Sequence, residues 1–300
     1  MKPDTSLREL LERESSVLMP VAYDVITAKL AERAGFKAAA IGGFSISAVK
    51  YGLPDLGFVS CNDVEELTRN VAASVRIPLL VDADGGYGNE SNVALTIQRL
   101  EAAGASAVFI EDQQHPKRCG HLNGKSLTSA YEMAGKVRAA VKARKDPSLI
   151  IIARTDAIGV EGFDGAIRRA RSYVEAGAEA IFVEAPRNMS ELRRIPEEIP
   201  DVPLLVNMLE GGRTPIMPKD ELERMGYKII AYPLSTLLAS IKATEKILLQ
   251  LAVTGTTAGC MEDLCDLEHF NDIIGLNGWL NKCQSYLNVQ RTTRPHQSAR

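Results

Sequence analysis

Eight short apolar runs alternate with amphipathic stretches of helical period, and this alternation limits the fold more than any other feature of the chain. The runs are rich in Val, Ile, Leu and Ala, as expected of buried strands. The eight candidate strands are Val17–Val21, Ala38–Gly42, Pro78–Val81, Ala107–Ile110, Leu149–Ile152, Ala180–Val183, Pro203–Val206 and Lys228–Ala231. Strands that alternate with helices form a parallel sheet covered by helices. Eight such units in about 230 residues predict a closed (β/α)8 TIM barrel.

The rival α/β architecture is an open, doubly wound sheet, which places a glycine-rich phosphate loop after an early strand. No GxGxxG sequence stands at that place. Residues 119–126 (CGHLNGKS) come close to a Walker A motif, but Cys119 occupies the position of its first glycine. We therefore reject a nucleotide-binding loop and keep the barrel.

Composition excludes several classes of protein. The chain has 300 residues, of which 45% are hydrophobic and 24% are charged, and its net charge is −3. These values are typical of a globular protein and not of a disordered one. Neither a basic field for nucleic acid nor an apolar run of about 18 residues for a membrane span is present in the sequence. The five cysteines form no CxxC pair, which predicts a reduced, cytoplasmic protein.

The sequence continues well beyond the eighth strand. Residues 234–253 are predicted to form the last barrel helix, and a further apolar helical pattern follows Gly255. We therefore expect a catalytic barrel domain over 1–253, a C-terminal helical extension over 254–290 and a mobile tail over 291–300. A closed barrel has little free face for another helix, so the extension is predicted to be exchanged between subunits of a homo-oligomer; a helix that caps its own barrel is the alternative.

Polar residues stand at the carboxyl ends of several predicted strands. The βα loops of a barrel meet at this end and form its active site. The residues in this position are Asp82, Asp84, Glu111, Asp112, Arg154, Thr155, Asp156, Glu184, Asn207 and Glu210. Hard oxygen ligands without clustered His or Cys indicate Mg2+ or Mn2+. Asp82, Asp84 and Glu111 are the candidate ligands. Such a metal, chelated by a 2-oxo or 2-hydroxy acid, would stabilise a developing enolate.

A second cluster of reactive residues lies on the long loop after the fourth strand, in the sequence Lys117-Arg118-Cys119-Gly120-His121. Two cations and a histidine beside a thiol are expected to lower the pKa of Cys119 and make it an effective acid/base. The loop contains Pro116, Gly120 and Gly124, which is typical of a lid that closes over a site and excludes water.

Five collinear segments resemble the isocitrate lyase/phosphoenolpyruvate mutase superfamily. They are GLPDLGF (52–58), VDADGGYGN (81–89), IEDQQHPKRCGH (110–121), ARTDA (153–157) and NMLEGGRTP (207–215). The resemblance extends from about Leu7 to Leu287. It implies a Mg2+-dependent barrel that works through enolate-like intermediates on a small carboxylic acid, in a homotetramer whose C-terminal helix is exchanged.

The resemblance also implies roles for individual residues. Asp84 would contact the metal, Asp82 and Glu111 would hold its waters, and Asp55 would belong to the same acidic surround. Cys119 would protonate the carbanion left after C–C cleavage, and His121 and Lys117 would prepare the thiol for this proton transfer. Arg154 would contact the oxyanion. The residues implied in substrate binding are the amides of Gly42, Gly43 and Phe44, the lid residues Arg118 and Gly120, and the pocket residues Glu184, Asn207 and Pro233.

Within the superfamily, the KRCGH loop is similar to that of C–C lyases. Methylisocitrate lyases tend to have an arginine at Leu122 and a tyrosine at Ala40, whereas the segments around Lys125 and Glu210 are more similar to dimethylmalate lyases, petal-death-type lyases and carboxyphosphonoenolpyruvate phosphonomutase. The resemblance implies a lyase that cleaves a 2-hydroxy di- or tricarboxylate, of the 2-alkylmalate or 2-methylisocitrate type, to pyruvate or another 2-oxo acid plus a carboxylate.

Three alternatives remain open: the phosphonomutase reaction, oxaloacetate decarboxylation or hydrolysis, and a catalytically silent barrel. The substrate side chain is expected to pack against Phe44, Tyr87, Leu209 and Leu234.

Overall fold

Eight parallel strands form the centre of the computed structural model, which describes the backbone of residues 3–292 and the side chains of residues 3–287. All eight predicted strands are confirmed, with ends that differ from the prediction by at most three residues. The strands are β1 Val17–Pro20, β2 Ala39–Ile41, β3 Leu79–Asp82, β4 Ala107–Glu111, β5 Ile150–Thr155, β6 Ala180–Val183, β7 Leu204–Asn207 and β8 Ile229–Tyr232. The sequence-based prediction of a (β/α)8 barrel is therefore confirmed.

From β2 to β8 each strand pairs with its neighbours in chain order, and β8 also pairs with β1, so that the sheet curves into a barrel. At the β1–β2 seam a parallel bridge joins Val21 to Ala40. The N–H of Ala22 donates to the carbonyl oxygen of Ala40 over 2.8 Å at the same place. Every strand is thus followed by a loop that emerges at the same end of the barrel.

Helices cover the outside of the barrel and continue beyond it. They are α1 Leu7–Arg13, α2 Val25–Arg33, α3 Gly43–Ile46 (continued by a π-helical segment, Ser47–Tyr51), α4 Cys61–Ala72, α5 Glu90–Ala103, α6 Ala130–Ala143, α7 Ile158–Glu175, α8 Met189–Glu198, α9 Lys219–Met225, α10 Ser235–Thr254, a 3-10 helix Ala258–Asp263, α11 Leu267–Ile274 and α12 Leu276–Thr292. Four of them are followed by a glycine with φ between +87° and +109°, which ends the helix: Gly35, Gly104, Gly177 and Gly226.

Side chains alternate between two apolar layers along each strand. On β3, Leu79 and Val81 pack against the helices, whereas Leu80 belongs to a separate cluster inside the barrel. The inward-facing set continues to the carboxyl end of each strand, where it changes from apolar to polar. This period of two places the predicted site residues on the inner rim of the barrel.

The chain divides into two compact units within α10, after Ala239. The first unit contains the barrel and the second contains α11, α12 and most of α10. The second unit exposes large apolar side chains, among them Leu249, Val253, Leu267 and Trp279. The predicted boundary after residue 253 and the exchange between subunits stay predictions. Of the predicted tail 291–300, residues 291 and 292 continue α12 and the rest lies outside the described residues.

No helix in the described part of the chain combines enough length with enough apolar character to cross a bilayer.

Candidate active site

The carboxyl ends of the strands surround a pocket of about 670 Å3, part of it open to solvent. Most of the predicted site residues line it: Gly42, Phe44, Asp55, Asp82, Lys117, Cys119, Gly120, His121, Arg154, Glu184, Asn207 and Pro233. Gly43, Asp84 and Glu111 contact lining residues from behind. Arg118 is exposed and its guanidinium donates to the carbonyl oxygen of Asn123, so the structure does not bring this residue into the pocket.

An acidic cluster with a lysine at its centre occupies one side of the pocket. The Nζ of Lys117 lies 2.6 Å from Oδ1 of Asp55 and 2.8 Å from Oδ1 of Asp84. The two carboxylate oxygens of Asp82 accept hydrogen bonds from the backbone N–H groups of Asp84, at 2.9 Å, and Gly43, at 3.1 Å. The Gly43 amide of the predicted carboxylate cradle is therefore already bonded to Asp82.

The buried carboxylates of this cluster fit a divalent cation. Both oxygens of Glu111 and Oδ1 of Asp84 are buried without a hydrogen bond of acceptable geometry. Burial raises the pKa of Asp84 to about 6 and that of Glu111 well above its usual value. The ion pairs with Lys117 and Arg154 balance these buried carboxylates only in part, and a divalent cation would supply the remaining positive charge.

The kind of donor set narrows the choice of cation. In the described part of the chain, no three His, Cys, Asp or Glu side chains already stand close enough together to chelate an ion by themselves. Mg2+ takes one or two protein carboxylates directly and completes its shell with water and substrate oxygens. The arrangement of Asp82, Asp84 and Glu111 therefore fits Mg2+ better than a metal that needs a closed protein cage.

Arg154 provides a fixed positive charge beside the acidic cluster. Its Nε and Nη2 donate to the two oxygens of Asp156 over 2.9 and 3.1 Å, and its Nε lies 3.2 Å from Oε2 of Glu111. The guanidinium carbon lies 5.0 Å from the ring centroid of Phe182. Burial acts to lower the pKa of Arg154, but the surrounding carboxylates raise it well above its usual value, so the group stays charged.

His121 lies between two neighbours that define the tautomer of its neutral imidazole. Its Nδ1 accepts the backbone N–H of Arg213 over 2.9 Å, and its Nε2 lies 3.2 Å from Oε1 of Glu184. Because Nδ1 is an acceptor, the neutral imidazole carries its proton on Nε2, facing Glu184. Burial acts to raise the pKa of Glu184, but Arg154 and His121 lower it to about 2. Glu184 is therefore a carboxylate at neutral pH.

Cys119 lies in the pocket as a neutral thiol, which corrects the sequence-based expectation. Burial raises its pKa, and the charges of Asp55 and Glu184 add to the shift, against smaller lowering effects of the His121 backbone N–H and Arg154. The expected lowering by Lys117 and Arg118 was wrong. Lys117 is paired with two carboxylates, and Arg118 points away from the pocket.

Sequence reasoning gave no role to two residues that hold the lid, which we define as residues 117–125. Nζ of Lys125 donates to the carbonyl oxygen of Gly120. Nε of Arg213 donates to the carbonyl oxygen of His121 over 2.7 Å, and its Nη2 donates to Oδ1 of Asn123 over 2.6 Å. The arginine inside the quoted segment NMLEGGRTP was the available signal for Arg213, but its partners are about 90 residues away along the chain.

Tyr87 does not line this pocket and instead borders a separate one beside Gln113 and Lys136. The other three residues expected at the substrate side chain, Phe44, Leu209 and Leu234, are confirmed as lining residues.

Comparisons with known proteins agree with this geometry. The family model of phosphoenolpyruvate phosphomutase matches residues 7–252. The chain is 43% identical to 2-methylisocitrate lyase of Aeropyrum pernix, over 93% of this chain and 89% of the relative. It is 40% identical to 2,3-dimethylmalate lyase of Eubacterium barkeri, over 92% of this chain and 95% of the relative.

Two solved structures share the fold. A crystal structure of 2,3-dimethylmalate lyase, a PEP mutase/isocitrate lyase superfamily member, matches with a TM-score of 0.88 and 32% identity, over 93% of this chain and 94% of the other. Phosphonopyruvate hydrolase in complex with oxalate and Mg2+ matches with a TM-score of 0.85 and 30% identity, over 94% and 98%. The protein is therefore an enzyme of the isocitrate lyase/phosphoenolpyruvate mutase superfamily.

Proposed function

We propose that the protein is a Mg2+-dependent C–C lyase that cleaves a 2-hydroxy dicarboxylate of the 2-alkylmalate type into a 2-oxo acid and a carboxylate. The observation that carries this proposal is the neutral thiol of Cys119 in the same pocket as the buried acidic cluster and Arg154. A lyase of this kind needs a proton donor for the carbon that the cleavage leaves behind. The named lyases among the relatives support the same reaction class.

Asp84, together with Asp82 and Glu111, would hold the metal. Bound Mg2+ supplies positive charge next to the oxygen on which negative charge develops during cleavage. Arg154, locked by Asp156, adds a second positive charge that needs no reorganisation during the reaction. The hydroxyl proton is first lost to water, the C–C bond then breaks, and Cys119 gives its Sγ proton to the new carbanion while the lid keeps water from competing for it. The thiolate takes a proton back from water when the lid opens.

The charge balance of the pocket favours two substrate carboxylates over three. Lys117 and Arg154 are the lysine and arginine of the described lining, and both are already paired with carboxylates of the protein. Mg2+ and Arg154 are the two positive charges proposed to face the substrate, so a third substrate carboxylate would be buried without a cation, which is costly. Arg118, which could have supplied one, is exposed.

A coupled lactate dehydrogenase assay for pyruvate, and for 2-oxobutanoate in the case of 2-ethylmalate, tests the proposal. The substrates are 2,3-dimethylmalate, a 2-alkylmalate series, 2-methylisocitrate and oxaloacetate, each with Mg2+ and with EDTA. We expect Mg2+-dependent pyruvate from 2,3-dimethylmalate and much less from 2-methylisocitrate. Pyruvate from oxaloacetate alone would replace the proposal with a decarboxylase. Absence of pyruvate from every acid, in folded protein that binds oxalate, would favour the phosphonomutase.

We further propose that the enzyme works as a homotetramer in the cytoplasm. The apolar side chains exposed on the second unit support an assembly, and the five cysteines, all unpaired, support a reducing compartment. Light scattering of the purified protein tests the assembly; a monomeric mass at micromolar concentration would contradict it.

A further inference from the structure

The floor of the active-site pocket lies inside the barrel and is asymmetric. On seven strands, the inward-facing residue two positions before the residue at the rim of the barrel can be compared directly. These residues are Ala40, Leu80, Phe109, Ile152, Phe182, Leu205 and Ala231, with Val21 completing the ring just past β1. Because the residues differ in size from one side of the barrel to the other, the depth of the pocket differs too.

The β4–β6 side of this ring is filled. Phe109 and Phe182 pack edge to face, with ring centroids 5.7 Å apart and an interplanar angle of 83°. The guanidinium of Arg154 lies over both rings, and of the three large residues on this side only Phe109 still lines the pocket. Ile152 and Phe182 are accordingly absent from the lining of the pocket.

The opposite side of the ring is open to the pocket. Ala40 on β2 and Ala231 on β8 flank Val21, and all three line the pocket together with Leu80 and Leu205. We call these five residues the apolar floor. They are 1–6% exposed, and none carries a polar side-chain atom. A water molecule there finds no side-chain hydrogen-bond partner, whereas an alkyl group gains contacts.

We propose that the apolar floor is the subsite for the alkyl substituent of the substrate acid, and that Ala40 and Ala231 set the length of the chain it accepts. The inference rests on the proposed function for the identity of the acid. The polar rim, formed by Asp82, Arg154 and Glu184 among others, orients the carboxylates and the oxygen, and the substituent enters the barrel below them. A side chain larger than a methyl at position 40 or 231 fills that space.

Binding of a homologous series measures the subsite without requiring turnover. The probes are glyoxylate, pyruvate and 2-oxobutanoate, titrated calorimetrically into the full-length protein with saturating Mg2+. Each methylene that enters an apolar environment tightens binding by about fourfold. We therefore expect the dissociation constant to fall stepwise along the series in the unmodified protein.

Three variants identify the place where the alkyl group binds. Ala40→Val and, independently, Ala231→Val should abolish the gain from glyoxylate to 2-oxobutanoate, because the added methyl groups occupy the floor. Ala107→Val is the matched control. Ala107 is buried in the same inner cluster but does not line the pocket, so this variant should keep the gain. Thermal melting confirms that each variant is folded.

The outcomes separate this inference from the proposed function. Two results overturn the subsite even if the lyase assay succeeds. One is a dissociation constant that does not change along the series in the unmodified protein, and the other is a tightening that persists in both Ala40→Val and Ala231→Val. A stepwise fall of the dissociation constant that both variants abolish, in a protein that releases no pyruvate from any hydroxy acid, supports the subsite and contradicts the proposed lyase activity.

Discussion

Replacing Gly120 with alanine should disable the enzyme without unfolding it. An added Cβ at this position would lie 2.6 Å from Nη2 of Arg154 and 2.6 Å from Oε1 of Glu184, and would also overlap Cγ of Glu184. Neither neighbour can move away easily. Arg154 is fixed by Asp156, and Glu184 is buried beside His121. The lid must therefore move instead.

The size of the movement follows from the contact distances. Carbon atoms pack at about 3.5–4.0 Å, so the lid has to retreat by about 1 Å to relieve the overlap. A displacement of about 1 Å at catalytic groups lowers the rate about 100-fold. We expect this loss in kcat/KM for the best hydroxy acid in the pyruvate assay, because Cys119 moves with its neighbour. The melting temperature should change little, since the lid lies outside the apolar core.

Leu122→Ala is the matched control for this experiment. Leu122 belongs to the same lid, is 48% exposed and does not line the pocket. The control should keep its rate within about threefold, as surface substitutions commonly cost under 0.5 kcal/mol. If Gly120→Ala works as well as Leu122→Ala, the lid does not close onto Arg154 and Glu184 during turnover and the reasoning is refuted.

Three further predictions concern the thiol, the lid and the metal. Cys119→Ser should lower kcat by about 10²–10⁴-fold while calorimetry still shows Mg2+-dependent oxalate binding; unimpaired turnover would remove the thiol as acid. Arg213→Ala loses the two guanidinium bonds to His121 and Asn123 and should raise KM about tenfold, as steady-state kinetics would show. The pKa of Asp84 is raised to about 6, so its carboxylate is protonated below that pH. The rise in melting temperature on adding Mg2+ should therefore be small at pH 5 and grow as the pH passes 6; a pH-independent rise would contradict this.

Much of the fold was predictable because its signals are local. A buried parallel strand needs a short apolar run, and a helix that turns back toward the sheet needs a residue that tolerates positive φ, such as Gly104 or Gly226. The position of the site was predictable for a related reason. The period of two carries the inward face directly from Leu80 to Asp82 and from Phe182 to Glu184.

The contacts of the lid were not predictable, because they join segments that are far apart in sequence. Arg213 follows β7 and yet binds the backbone of His121, and Lys117 follows β4 and yet pairs with Asp55. No regular spacing in the sequence relates the two members of either pair, so neither contact can be found from a sequence pattern. Neighbours in sequence were also misleading, since Lys117 and Arg118 point to different surroundings and only Lys117 is buried.

This difference between sequence and space changes the chemical role that suits Cys119. Close cations would have produced a thiolate, which is a nucleophile and has no proton to give. Burial near Asp55 and Glu184 instead keeps the proton on sulfur. The carbanion left by C–C cleavage is far more basic than a thiolate, so proton transfer from a thiol with a raised pKa is still downhill. The same surroundings then hold the thiol in its proton-donating form between turnovers, which is what a general acid requires.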